Sequence, residues 1–440
     1  MSKFAEIVVI GGGLAGSEAA WQAAERGCHV TLVDMKPVKF SPAHLSEDFG
    51  ELVCSNSFRS NDQTSAVGLL KAEMSRLDSL IMQTAYTTEV PAGKALAVDR
   101  EKFAAEITSA LVSHPRIEII REEMKKIPPP SDSLIILATG PLTSEPLAEA
   151  LAELTGKERL AFYDAIAPIV YQESLDMEII YSKSRYDDGP GDYLNCPMDQ
   201  ATYLQFIDEL QRGKVVPLKE FEEPKYFEGC LPIEVIRSRG DDTLRYGPMK
   251  PVGLEMPATG ETPYAVVQLR KENREGTTYN MVGFQTKLTY AEQKRIFRMI
   301  PGMEQAEFAR LGSIHRNTFV ISPEILQPTL QFQARPDMFL AGQLSGVEGY
   351  VESAAMGLLA GINCGRLRQS LPLVVPPIET ALGALIQHLT ASSAKTFQPS
   401  NVNFGLFPAW EKKIRKKFRG EERAKRSLAA MDEWMAQERL

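Results

Sequence analysis

Long apolar runs are missing from this chain: its first one, Ile7–Ile10, meets glycine after four residues. A membrane helix needs roughly 20 apolar residues, so no span is expected. A secretory signal needs a longer apolar stretch and a small-residue cleavage site, and neither is expected at this start. Cysteine is sparse, five in 440 residues, and no two form a C-x-x-C pair. That odd, scattered set excludes a disulfide framework and the common zinc sites, and suits reduced thiols in the cytoplasm. Histidine is equally scarce, with five copies and no H-E-x-x-H, so no metal is expected. Positive charge is not in excess either. Lys and Arg total 49 against 57 Asp and Glu, a net charge of -8, which argues against nucleic-acid binding by the whole surface but not against a local basic patch. With 44% hydrophobic and 24% charged residues, what remains is a globular protein of two or three domains.

What is present begins at residue 6, with EIVVIGGGLAGSEAAWQAAERGCHVTLVD. Ile7–Ile10 reads as a buried strand ended by Gly11, Ser17–Arg26 as a helix stopped by Gly27, and His29–Val33 as a second strand. Between strand and helix, Gly11, Gly13 and Gly16 form G-x-G-x-x-G, with Gly12, Leu14 and Ala15 filling the loop. The first glycine permits the tight turn, the second lets a pyrophosphate approach the backbone, and the third lets helix pack on strand. The helix N-terminus then faces the anion. Asp34 follows Gly16 by 18 residues, where a carboxylate would take ribose hydroxyls.

Two later stretches favour FAD over NAD. SLIILATGP (133–141) is a β-branched run closing in Ala-Thr-Gly, and DMFLAGQLSGVEGY (337–350) is a short strand entering a glycine loop. Flavoproteins of the two-dinucleotide-binding type carry a similar strand end and a late strand ending in Gly-Asp; here that motif ends in Gly342-Gln343. The expected fold is therefore α/β, a Rossmann-like FAD-binding domain assembled from both ends of the chain around an inserted mixed α/β domain. The boundaries are 1–159 for the first part, 160–305 for the insertion, 306–370 for the second part, and 371–440 for a helical segment with a basic tail. SEPLAEALAELTG, ATYLQFIDELQRG and YVESAAMGLLAGINCGRLRQ read as helices. Residues 411–426 carry nine Lys or Arg against three Glu, either a solvated helix face or a surface for RNA phosphates.

Cys54 sits in ELVCSNSFRS, among small polar residues that build turns and pockets, and Cys230 sits in KYFEGCLPIEVIRSRG. A cysteine is ordinarily a small buried hydrophobe, which suits Cys28 and Cys364. Spacing alone does not join Cys54 to Cys230.

These stretches, together with DYLNCPM, YGPMKPVGL, QLRKEN, MVGFQTKL, RLGSIHRNTF, AGQLSGVEGYVESAA and NFGLFPAW, closely resemble the folate- and FAD-dependent tRNA (uracil-5-)-methyltransferase family, nearly end to end. The Gly-Gln ending is shared with a longer tRNA wobble-uridine flavoprotein, and Asp34 stands where the family is expected to have Glu. The resemblance implies formation of 5-methyluridine in the T-loop of tRNA, with 5,10-methylenetetrahydrofolate as one-carbon donor, NAD(P)H as reductant and FAD bound. Thiolate addition at carbon 6 of uracil would make carbon 5 nucleophilic. The resemblance puts Cys54 and Cys230 in the catalytic places, Cys230 on the uracil and Cys54 on the flavin side, with Arg237 or Arg239 available to activate a thiol. It also suggests His315, Asn317, Glu348 and Tyr350 for the pterin or flavin, and Lys250, Arg270 and Lys271 for a folate glutamate or an RNA phosphate. The same chemistry on ribosomal RNA, a non-methylating flavoprotein that binds RNA or protein, and a small-molecule NAD(P)H–flavin oxidoreductase are the competing readings.

Overall fold

The structure is a computed structural model that describes residues 5–130, 132–156, 160–185, 191–217, 231–410 and 414–440. Its strands in chain order begin with β1 (Ile7–Ile10), β2 (Val30–Asp34), β3 (Ser57–Ser60), β4 (Glu89–Val90), β5 (Ala95–Val98), β6 (Ile117–Arg121) and β7 (Leu134–Leu137). There follow β8 (Leu160–Ala165), β9 (Ile169–Tyr171), β10 (Tyr181–Ser182), β11 (Tyr193–Met198), β12 (Ala265–Lys271) and β13 (Thr278–Met281). The last are β14 (Phe308–Arg310), β15 (Ile314–Phe319) and β16 (Met338–Leu340).

Five of them form a parallel sheet in the order β16-β7-β1-β2-β6. Residues Ile7–Ile10 and Ile135–Leu137 are at most 2% exposed, as strands covered on both faces require. β1 has its sequence successor β2 on one side and β7 on the other, so chain direction through the sheet reverses there. A crevice opens at the carboxyl ends of strands at such a switch point. β16 joins beside β7 some two hundred residues later, so the sheet is built from both ends of the chain, as the two-part reading of a Rossmann-like FAD-binding fold anticipated.

The helix Leu14–Glu25 begins three residues earlier than the pattern suggested, with Gly13 as N-cap, because Gly16 of the loop motif already lies in its first turn. It packs against the long helix Tyr350–Arg368 through small residues. A Cβ on Gly357 would lie 2.1 Å from the Ala15 carbonyl oxygen, and one on Gly361 2.5 Å from that of Ala19. Backbone contact this close tolerates no side chain, which explains the alanine- and glycine-rich texture of both helices. The helix Glu145–Thr155 ends as expected at Gly156, in the left-handed region at φ 62°.

The second large sheet is antiparallel, ordered β10-β11-β12-β13-β9-β14. Val267 and Leu269 of β12 point into its core with Tyr203, Phe206, Phe284 and Phe297, while the alternate residues Gln268 and Arg270 face the other way. A small sheet, β3-β5-β4, falls between β2 and β6 in the chain, and the pair β8/β15 brackets the strands of the antiparallel sheet. No helix among the described residues is long and apolar enough to cross a membrane.

Candidate active site

An open crevice of about 1090 Å³, counting space open to solvent, lies at the switch point, lined by the ends of β1, β2, β7 and β16. Its floor is the glycine loop. Gly11 has φ 105°, and a Cβ there would lie 2.5 Å from the Ala138 carbonyl oxygen. A Cβ on Gly16 would fall 1.7 Å from the Gly11 carbonyl oxygen, so Gly16 serves the packing of helix on loop and does not line the crevice. Around Gly13 an added Cβ would meet nothing within 4 Å. That open cradle, at the start of a helix with no acidic residue in its first turn, fits a pyrophosphate.

Asp34 ends β2 with one carboxylate oxygen accepting from the Gly12 N–H (2.6 Å) and the other from the Lys36 N–H (2.9 Å). Each oxygen keeps a further lone pair for ribose hydroxyls. Gly11, Gly12, Gly13, Leu14, Ala15, Asp34, Gly342 and Gln343 all line this one crevice, as do the Ala138–Gly140 strand end and Tyr350. The sequence reading missed Lys36, His44, Glu51, Val53, Glu122, Glu123 and Ser353, which line it too. No motif marks them; ELVCSNSFRS, quoted for Cys54, was the nearest signal for Glu51 and Val53.

Glu51 and Val53, just before Cys54, border the crevice together with Tyr350, and Cys54 stands at its edge. The Tyr350 hydroxyl accepts from the N–H groups of Cys54 (2.7 Å) and Ser55 (3.0 Å), and the Cys54 sulfur lies 3.8 Å from the Ala165 carbonyl oxygen. Tyr350 therefore holds the loop by its oxygen while its side chain borders the crevice. Burial and the nearby Cys54 push its phenol well up. Cys54 is half-buried, whereas Cys28, Cys196 and Cys364 are buried, and burial pushes those three thiols up. Cys28 and Cys364 behave as the packing residues that their contexts suggested, and Cys196, whose context left it open, is buried with them.

Polar and charged groups gather around this end, the guanidiniums of Arg100 and Arg310 among them. Glu348 is buried, and burial together with Asp164 holds its carboxyl well above the usual range. The Gln343 amide donates to it at 2.5 Å. Asp164 on β8 pairs with His315 on β15, and Asn317 follows two residues later on the same face of the strand, buried. The His315 ring nitrogen Nε2 shares a hydrogen bond with the Ser313 hydroxyl at 2.8 Å. Burial, with Arg310 and His44, lowers its pKa to about 4. One hydrogen bond, Thr318 N–H to the Pro141 carbonyl, ties β15 to the crevice wall.

Some residues stand elsewhere than the sequence suggested. Arg270 is buried and bonded to Ser55 and Asn56, so it offers no charge to a glutamate or phosphate. Arg237 is engaged by Asp241 at 2.9 Å and by the Ile207 carbonyl. Cys230 lies outside the described residues. In the basic tail, Arg423 sits against the rings of Phe407 and Trp410, Lys425 pairs with Glu421 and Arg426 with Glu379, so part of its charge is already spent within the protein.

A parallel sheet with a glycine-loop crevice at its switch point, completed by a late strand, defines a flavoprotein of the FAD-binding Rossmann class. Comparison with known proteins narrows this. Residues 6–372 match the family model of glucose inhibited division protein A. Three curated relatives carry the name methylenetetrahydrofolate–tRNA-(uracil-5-)-methyltransferase TrmFO. The protein from Desulfotalea psychrophila is 68% identical over 434 residues, 99% of this chain and 98% of that protein. Those from Pelobacter propionicus and Geobacter sulfurreducens are 56% and 54% identical over 431 residues, 98% of this chain and 94% and 99% of theirs. Among solved structures, Aquifex aeolicus GidA superposes with a TM-score of 0.70 at 16% identity, covering 98% of this chain and 76% of that one, a likeness of fold. The chain belongs to the TrmFO family.

Proposed function

We propose that this protein methylates carbon 5 of uridine in tRNA, at the T-loop, with 5,10-methylenetetrahydrofolate as one-carbon donor and NAD(P)H as reductant. The observation that carries the reading is the placement of the Cys54 loop, pinned by Tyr350 at the edge of a crevice shaped for a dinucleotide. FAD bound there, once reduced by NAD(P)H, supplies the electrons that convert a folate-derived methylene to methyl. The loop Gly11–Gly13 and the helix start at Leu14 would hold its pyrophosphate, Asp34 its ribose, and Gly342 with Gln343 the far side.

Cys230 is assigned to the uracil. Its thiolate adds at carbon 6, carbon 5 becomes the nucleophile, and the thiol leaves once the carbon 5 proton has gone. Cys54 is assigned to the crevice side. Glu348, its carboxyl held above the usual range, with neutral His315 and Asn317 present donors and acceptors, which suits the amide-like edge of a pterin. An unpaired loop uridine costs less to extrude than a paired one, in keeping with a T-loop target.

The test is reconstitution of purified protein with FAD, NAD(P)H, methylenetetrahydrofolate and a tRNA transcript, read by mass spectrometry for 5-methyluridine. Methylation at the T-loop position is the expected product. Modification of a ribosomal RNA fragment with tRNA untouched, or turnover indifferent to folate and RNA, would replace this reading.

A further inference from the structure

We propose that Arg270 is a positioning residue for Cys54, coupling the thiol to the antiparallel sheet of the insertion; this rests on the reading of Cys54 as a reactive thiol. Arg270 is on β12, and strand alternation that sends Leu269 into the core of the insertion turns Arg270 toward the Cys54 loop. It is 7% exposed. Its Nε donates to the Asn56 side-chain oxygen at 2.9 Å and its Nη2 to the Ser55 hydroxyl at 2.7 Å. Asn56, fully buried, spends its own amide hydrogens on the carbonyls of Val98 (2.9 Å) and Lys271 (2.8 Å). The two residues after Cys54 are thus fastened to β12 by three hydrogen bonds, two from the guanidinium and one to the Lys271 carbonyl.

Tyr350 grips the same segment from the parallel-sheet side, through the N–H groups of Cys54 and Ser55. Ser55 is therefore held at its backbone by one body and at its hydroxyl by the other. Displacing the insertion by a fraction of a hydrogen-bond length must move Ser55, and Cys54 with it, relative to the crevice. The side chain has to be arginine for this. Its planar fork offers two donors at fixed divergence to two acceptors, whereas a lysine ammonium is a point charge on a flexible stem. A guanidinium withdrawn from water is also tolerated only with its donors engaged, so this contact selects one geometry.

The test uses the full-length, FAD-loaded protein and its Arg270→Lys and Arg270→Met variants. Timed iodoacetamide labelling, resolved cysteine by cysteine by mass spectrometry, is combined with flavin content and with kcat and KM for methyl transfer. Both variants are expected to change the Cys54 labelling rate at least fivefold and to lower kcat at least tenfold, with the folate KM within twofold. Cys28, Cys196 and Cys364 should stay as slow as in the parent. Cys54 labelling and kcat within twofold of the parent, or all four thiols loosening together, would overturn the proposal. If the Arg270 variants do not fold, Ser55→Ala removes one acceptor from the opposite side and should shift Cys54 labelling in the same direction, about threefold; no shift again overturns it. Cys54→Ala separates the two readings, since full methylation by that variant would end the catalytic role of Cys54 while the labelling data still judged Arg270.

Discussion

At the glycine-loop end of the crevice, Gly11 through Asp34 supply the loop, the helix start and a carboxylate from one strand–turn–helix–strand unit. At the thiol end, Cys54, Ala165, Arg270, His315 and Tyr350 arrive from five separate segments of the chain. The first end is shaped by backbone, with glycines where a Cβ would collide. The second is held by side-chain hydrogen bonds that reach between sheets. Lesions at the two ends should therefore fail differently, one losing the fold or the cofactor, the other losing chemistry in a protein that still folds.

The largest effect is expected at the thiols. Cys54→Ala should reduce 5-methyluridine formation to the limit of detection while flavin content and thermal midpoint stay at parent values, because what the half-buried thiol gives up is a long, weak approach of 3.8 Å to the Ala165 carbonyl oxygen. Normal methylation would remove this residue from the chemistry and leave the crevice as a cofactor site only.

A pair of glycine substitutions sharpens the contrast within the other end. Gly16→Ala puts a methyl 1.7 Å from the Gly11 carbonyl oxygen, and such overpacking costs about 1–3 kcal/mol or more; thermal unfolding should show a lowered midpoint or no folded protein. Gly13→Ala adds a methyl into open space, so its midpoint should hold, while flavin affinity, read by titration, should fall at least tenfold. Parent-like flavin affinity in Gly13→Ala would mean that no phosphate approaches this loop.

That division also explains what could be read in advance. The glycine loop, Asp34 and the Ala-Thr-Gly strand end were legible because a turn, a close approach and a helix start each demand a particular residue at a fixed spacing. The start of the first helix was misplaced by three residues because its opening turn is itself part of the motif. At the other end no spacing links Arg270 to Ser55, or Tyr350 to Cys54. Only the folding of the insertion against β3 and β5 brings them together. Arg270 looked like a free basic group in QLRKEN, since strand alternation says which face it takes but not what waits there. The places of Cys28, just before a strand, and of Cys364, in a small-residue helix, did reveal that they are packing residues, because such burial is a local property.

Tyr350→Phe probes the same end more gently. It keeps the ring against the crevice and deletes the oxygen that accepts from the Cys54 and Ser55 N–H groups. Leaving buried donors unsatisfied costs about 1–3 kcal/mol. If that cost falls on the loop alone, kcat should drop roughly five- to 160-fold, with flavin affinity within threefold. A variant that lost flavin and rate together would show that Tyr350 serves the cofactor more than the thiol.

The smallest effect concerns stability in acid. His315 has its pKa lowered to about 4 by burial, then by the positive Arg310 and by His44, against about 6.5 for an unfolded histidine. Between these values the unfolded chain binds a proton that the folded protein refuses, so stability rises with pH across this window. The contribution is full above about pH 6.5 and is lost as pH falls toward 4; partial exposure keeps it to roughly 2 kcal/mol. His315→Gln should retain stability near pH 4 and flatten the acid limb of a midpoint-against-pH curve, leaving values at pH 7 to 8 little changed. An unaltered acid limb would place the proton uptake elsewhere. A flattened one would mean that the ring near Ser313 is uncharged at neutral pH, as recognition of an uncharged pterin edge requires and as an anion site would not.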